Sequence, residues 1–217
     1  ALLSIAAGMG KKGLAYLTDM NQPLGRQIGN ALEVAESIET LKGQGPKDVT
    51  TLTLELAAAM IRLAGLAPDI DAARAKAASA LHSGEALARF RQIIEAQGGD
   101  PSVCEDLTRL PLAARKTQVV APADGWLHAV DTEAVGVASM MLGAGRERAE
   151  DAVDPAVGLT MRARLGDKIS EGQPLVAIWH HDGQDVGAVM AKLLDALTIL
   201  PSPAPAPPLI VDILETP

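Results

Sequence analysis

The hydrophobic period of the chain changes near its middle, and that change limits what it can fold into. Through the first hundred residues apolar side chains recur at helical spacing, whereas beyond residue 117 they come as short runs bounded by glycines. A mostly helical part followed by a β-rich part is therefore predicted. Only 2% of the 217 residues are aromatic, namely Tyr16, Phe90, Trp126 and Trp179, while 48% are hydrophobic. Leu, Ile, Val, Ala and Met must then fill the interior, which favours closely packed helices and small strands.

The helical part opens on Ala1-Leu2-Leu3-Ser4-Ile5-Ala6-Ala7, which reads as a buried helix entered partway along, so a truncated start is expected. It is far shorter than the roughly 18 apolar residues of a membrane span, and no positive segment precedes it as in a signal peptide. Leu14–Thr18 reads as a buried strand leading into the turn-rich Asn21-Gln22-Pro23-Leu24-Gly25. Asn30, three residues before Glu33, is placed to cap a helix ending near Leu41, before Gly43-Gln44-Gly45-Pro46. From Asp48 to Ala64, Val49, Leu52, Leu56, Met60 and Leu63 share one face, which predicts a deeply buried helix. Asp71–Leu81 and Glu85–Ala96 read as two more helices, parted by His82-Ser83-Gly84. Between 105 and 117 the period is lost around Pro111, as in a linker.

Past the linker, strands are predicted at Val119-Val120, Trp126–Val130, Val137–Leu142, Val157–Met161 and Leu175–Trp179. Asp185–Leu200 resumes a helical period, and Pro201–Pro208 reads as an extended arm. Gly166-Asp167-Lys168-Ile169-Ser170-Glu171-Gly172 resembles the glycine turns of biotin- and lipoate-carrier folds and predicts a hairpin in a barrel-like core. A non-catalytic carrier or interaction module is thus one alternative function, although Lys168 and Lys192 sit in the wrong contexts for a modified lysine.

The net charge of −8 leaves no broad basic footprint for nucleic acid. One cysteine, Cys104, excludes an intrachain disulfide and suggests a cytoplasmic protein; nothing beside it marks it as a nucleophile. Gly8-Met9-Gly10-Lys11-Lys12 lacks the earlier glycine and the hydroxyl residue of a phosphate-binding loop, so it reads as a helix C-terminus with solvated lysines. His180-His181-Asp182 holds potential metal ligands, but neighbours on a strand diverge, and an exposed loop end is the simpler reading.

Two longer stretches go beyond pattern. Leu17-Thr18-Asp19-Met20-Asn21-Gln22-Pro23-Leu24-Gly25, with Gly29-Asn30-Ala31-Leu32-Glu33-Val34, resembles the signature region of thymidine and pyrimidine-nucleoside phosphorylases. Gly143-Ala144-Gly145-Arg146, with Glu150, Asp151, Asp154 and Ala156-Val157-Gly158, is similar to the C-terminal domain of the same family. The resemblance implies an α/β plus α+β protein: residues 1–104 the helical remnant of the central α/β domain, 105–117 a linker, and 118–217 a C-terminal domain with a barrel-sandwich-like hairpin core.

It implies as activity the reversible phosphorolysis of a pyrimidine (deoxy)nucleoside to base and (deoxy)ribose 1-phosphate, with phosphate and nucleoside as partners, neither nucleic acid nor membrane, and a homodimer when full-length. The family's phosphate loop and its Arg-Ser-Lys group on the base precede the region matching Ala1, so no catalytic residue and no organic cofactor is expected on this chain, and these residues alone are expected to be inactive. A potassium site is implied at the backbone carbonyls of Leu24 and Gln27 and the carboxylate of Glu36, incomplete on this chain because its remaining ligands are expected from that phosphate loop. Arg146, in a glycine-flanked turn, is expected to pair with Asp151 or Asp154 or to face the first domain, in preference to contacting substrate.

Overall fold

The structure, a computed structural model, describes residues 2–146 and 148–216; Ala1, where the first helix is read to begin, lies outside them. Along the chain, α1 (Leu2–Gly8), β1 (Leu14–Thr18) and β2 (Gln27–Ile28) lead into α2 (Asn30–Leu41), α3 (Lys47–Leu63), α4 (Ile70–His82) and α5 (Glu85–Ala96). Two short 3-10 turns, Pro101–Cys104 and Leu107–Arg109, precede β3 (Arg115–Val120), β4 (Gly125–Val130) and α6 (Thr132–Met141). Then come β5 (Gly158–Met161), β6 (Lys168–Ile169), β7 (Pro174–His180), α7 (Gly187–Asp195), β8 (Leu197–Leu200) and β9 (Ile210–Glu215). The fold is mixed, α+β, and its contacts gather into two units that do not follow chain order.

One unit holds residues 2–19, 39–99 and 208–216. Its helices α3 and α4 pack through alanines: Ala58, Ala59, Ala73 and Ala77 are all buried, and side chains this small let two helices approach closely. Glu55 on α3 accepts from Arg74 Nε and Nη2 on α4 at 2.6 and 3.0 Å, a two-pronged ion pair. Asp69 caps α4 by accepting the Ala72 N–H at 2.8 Å.

The sequence predicts deep burial for α3, and the structure corrects this, since Met60 is 70% exposed and Leu56 and Leu63 are open too. The face that packs is the alanine face, and periodicity alone cannot say which of two apolar faces meets a neighbour. For the same reason α1 is not the buried helix expected, with Leu2 84% exposed. β1 is a strand as read, and its partner is β9, antiparallel, beyond the proline-rich arm.

The other unit holds Met20–Ile38 and Asp100–Pro207. Its strands form two open antiparallel sheets, ordered β2-β5-β7-β3 and β6-β4-β8. Both sheets, with α6 and α7, share one apolar core in which Val119, Leu127, Leu159, Ile178 and Leu193 have no exposed surface. At about 1.5–3 kcal/mol for each fully buried aliphatic side chain, such a core is the main stabilising term of the unit.

Three readings are corrected here. Val137–Leu142 is helix rather than strand, because Asp131 caps α6 by accepting the Ala134 N–H at 2.9 Å and buried Val135, Ala138 and Leu142 recur at helical spacing. The helix read over Asp185–Leu200 stops at Asp195, after which Leu197–Leu200 pairs with β4. The glycine turns at Gly166 and Gly172, with φ of 89° and 76°, do not make a hairpin: β6 pairs with β4 whereas β7 lies between β5 and β3, so this segment turns a corner from one sheet to the other. Neither sheet closes into a barrel.

At Gly29 the chain runs against Gly158. Gly29 has φ 129°, and a Cβ there would stand 2.6 Å from the Val157 carbonyl oxygen and 3.0 Å from the Gly158 Cα; one at Gly158 would run into the Ile28 carbonyl oxygen. Only two glycines fit back to back in this way. Gly29→Ala is expected to lower the unfolding free energy by roughly 2–4 kcal/mol, from backbone strain and overpacking together. Urea unfolding followed by Trp fluorescence checks this, and a midpoint equal to that of the parent chain would count against the contact.

Candidate functional site

The segment 20–28 is a loop of backbone acceptors, turned by Gly25 at φ 73°, and α2 follows it directly. Glu33 and Glu36, one helical turn apart, both point back at it. Glu33 Oε1 accepts the Gly29 N–H at 3.0 Å and Glu36 Oε1 the Arg26 N–H at 2.9 Å. Glu33 thus serves Gly29 and not Asn30, so the helix cap sits one residue earlier than the sequence reading places it. Acidic groups in the first turns also suit the positive end of the helix dipole.

From the other side, the strand region 158–166 holds the loop. Arg164 Nη1 donates to the Pro23 and Gly25 carbonyls at 2.6 and 2.7 Å, Met161 N–H to the Arg26 carbonyl at 2.7 Å, and Leu165 N–H to Gln22 Oε1 at 3.1 Å. Buried Thr160 donates to Gln27 Oε1 at 2.6 Å and accepts the Trp179 indole N–H at 2.8 Å. Lys116 Nζ lies 3.7 Å from the centre of the Trp179 ring, a cation–π contact that caps this relay.

These bonds sort the loop's carbonyls. Pro23 and Gly25 are taken by Arg164, and Arg26 by Met161. Because Arg26 and Met161 make the close bond, the next pair along the ladder, Gln27 and Thr160, is a non-hydrogen-bonded pair, and the Gln27 carbonyl turns away from β5. Leu24, its side chain 45% exposed, spends its carbonyl on none of these fasteners. Between Pro23 and Gln27, the carbonyls of Leu24 and Gln27, two of the oxygens that the family resemblance names, take part in none of these bonds, and the third, the Glu36 carboxylate, accepts the Arg26 N–H. Arg26 Nη1, in the same place, is buried and has no partner among the described residues.

The other candidates go to separate structural duties. Gly8-Met9-Gly10-Lys11-Lys12 closes α1, with Lys11 N–H on the Ala6 carbonyl and both lysines exposed. His180 contacts Thr117 Oγ1, Asp182 pairs with Arg115, and His181 Nε2 faces Asp154 Oδ2 at 2.6 Å. Arg146 Nη1 donates to the Ala149 carbonyl at 3.4 Å, so the carboxylate expected to receive it at Asp154 is held by His181. Cys104 is buried. Lys168 lies in a strand and Lys192 on a helix, neither at a hairpin tip where a carrier presents its lysine. Sequence reasoning missed Arg164 and Thr160, whose partners lie 141 and 133 positions away in the chain.

Two family models match the chain: the glycosyl transferase family a/b domain over residues 2–87 and the pyrimidine nucleoside phosphorylase C-terminal domain over residues 126–200. Pyrimidine-nucleoside phosphorylases of Staphylococcus aureus strains USA300 and NCTC 8325 are each 46% identical to it over 199 residues, 92% of this chain and 46% of the relative. The chain belongs to the pyrimidine-nucleoside phosphorylase family. It spans about half the length of the curated relatives it matches. The alignment runs through both the loop and the β-rich core, and it gives the carrier reading no support.

Asp154 offers a check by pH. Its carboxyl is held below the usual carboxylate range, first by the Ala156 N–H at 2.9 Å and further by His181, against partial burial. A depressed folded value contributes stability that is present above the unfolded value of about 4 and lost as pH falls through the folded one. Asp154→Asn is therefore expected to cost on the order of 1 kcal/mol at pH 7, the ceiling for a pair this open to solvent. In thermal melts the gap to the parent chain should close as the pH falls below 4.

Proposed function

We propose that this chain supplies the scaffold half of a pyrimidine-nucleoside phosphorylase. In the reaction, phosphate attacks the anomeric carbon of a pyrimidine (deoxy)nucleoside and the base leaves, giving (deoxy)ribose 1-phosphate; the reverse step remakes the nucleoside. The observation that carries this is the ordered 46% identity over 92% of the chain, which takes in both family domains. The resemblance assigns the phosphate loop and the base-binding Arg-Ser-Lys group to the part of the relatives outside the match. The residues here accordingly shape the site instead of doing its chemistry.

Leu24, Gln27 and Glu36 fit a potassium ion. Two carbonyls and one carboxylate are oxygen donors of the kind a hard monovalent cation takes, and none of the loop's fasteners engages the Leu24 or Gln27 carbonyl. When bound, the ion supplies a fixed positive charge that ties the loop to the helix behind it. For the fold, we read the two sheets around one apolar core as a barrel-sandwich-like arrangement, supported by Leu127 and Ile169 from one sheet and Leu159 and Ile178 from the other in the same cluster. Homodimeric assembly follows from the family resemblance, and a cytoplasmic home is in keeping with a single cysteine. No helix among the described residues is long and apolar enough to cross a membrane.

Thymine release from thymidine and phosphate tests the main reading. These 217 residues alone are expected to give none, and the same residues joined to the unmatched part of the Staphylococcus aureus phosphorylase are expected to turn over. An inactive, well-folded chimera beside an active relative would refute it. In the active chimera, Glu36→Gln should raise the potassium concentration for half-activation at least tenfold. Activation and thermal stabilisation by potassium that stay unchanged would eliminate the ion site.

A further inference from the structure

One guanidinium nitrogen meets two carbonyls of the loop that the proposed ion site is made from. Arg164 Nη1 carries two hydrogens, and the two carbonyls it meets, Pro23 at 2.6 Å and Gly25 at 2.7 Å, lie on either side of Leu24. Each carbonyl belongs to a rigid peptide plane, so fixing the planes after Pro23 and after Gly25 constrains the one between them, which carries the Leu24 oxygen. The bonds are charge-assisted and partly buried. The arginine is itself anchored at its backbone, its N–H on Asp167 Oδ2 at 2.7 Å, while the next residue, Leu165, donates to Gln22.

A cation held in place by protein also acts on the choice of acceptors. The guanidinium and a metal ion compete for the same carbonyl oxygens and repel one another. By occupying Pro23 and Gly25, Arg164 withdraws these two carbonyls from any ion bound near Glu36. We propose that Arg164 is a positioning residue, setting from the β-rich unit which carbonyls of the Pro23–Gln27 loop face the Glu36 carboxylate. The part of this that concerns potassium rests on the reading of Leu24, Gln27 and Glu36 as an ion site; the part that concerns loop shape does not.

The arrangement makes a specific demand on substitutes. One nitrogen serves both carbonyls, so a lysine, whose ammonium carries three N–H donors, can supply these two bonds. Arg164→Met, with comparable bulk and no donor, cannot. The reporter is the Arg26 amide, which is bonded to Glu36 Oε1 at 2.9 Å and loses protection from hydrogen exchange once the loop leaves the helix.

The experiment compares the whole parent chain, Arg164→Met and Arg164→Lys by amide exchange resolved to single residues. It is paired with potassium titrations of thermal stability at constant ionic strength against choline chloride. Expected are at least a tenfold drop in protection at Arg26 for Arg164→Met with β7 amides unchanged, and recovery to within about threefold for Arg164→Lys. Unchanged protection at Arg26, or a loss spread equally over β5 and β7, overturns the proposal. So does a lysine variant that behaves like the methionine one.

Where potassium stabilises the parent, the methionine variant should need at least ten times more of it for the same shift, and an unaltered requirement overturns the acceptor-sorting role. Where potassium does nothing to the parent chain, the Arg26 amide alone decides on Arg164. Should the methionine variant fail to fold, the lysine variant still decides: tenfold loss at Arg26 in a folded Arg164→Lys is incompatible with one nitrogen sufficing.

Discussion

The backbone contact between Gly29 and Gly158 decides where the segment Met20–Ile38 can lie. With a side chain on either glycine the two strands would part, and β2 would lose its place beside β5. The first turn of α2 begins at this point, so the aim of Glu33 and Glu36 depends on it as well. A helix transmits such a placement rigidly, since residues one turn apart share a face at fixed spacing. The absence of two methyl groups therefore governs the distance between a carboxylate and a loop several residues away.

Given that placement, the loop is held by polar bonds for a physical reason. A stretch containing Pro23 and Gly25 makes no regular ladder, and each of its carbonyls needs a partner or water. Apolar packing over it would leave acceptors unpaired at about 1–3 kcal/mol each. Arg164 and the Met161 N–H supply partners and fix direction as well, which hydrophobic contact does not. Exposed pairs elsewhere, such as Arg115 with Asp182, do little for stability; that comes from the shared core of the two sheets.

The helices α2 to α5 were legible in the sequence because their apolar periods are bounded by Gly43, Gly65, Gly84 and Gly98, each with positive φ. The α6 segment was not, because Gly136 interrupts it and the apolar run from Val137 hides the period that starts at Val135. Leu197 continues the spacing of Val189 and Leu193, so nothing local separates α7 from β8, and only pairing with β4 makes the difference. The partner of β1 was illegible for a like reason, since Ile210–Glu215 follows a run of prolines and is short. Of the site, the loop and Glu36 could be found through the family motif, and the structure brings them together. Arg164 could not, because an arginine between Ala163 and Leu165 has no local signal, and its role exists only once the β5 region lies against the loop.

The two descriptions of the chain, by sequence family and by contact, cut it in different places. The family's a/b domain model runs unbroken from residue 2 to 87, yet within that span Met20–Ile38 makes its contacts with the β-rich unit. A boundary drawn from sequence near residue 100 would leave the Arg164 guanidinium on one side and the Pro23 and Gly25 carbonyls on the other. Five hydrogen bonds from residues 160–165 and a glycine contact would be cut at once. The β-rich unit is on this account part of the loop's structure and not an appendage to it. Its open sheets need no chemistry of their own to matter, because they hold Arg164, Thr160 and Gly158 in fixed register and thereby determine which oxygens the loop presents.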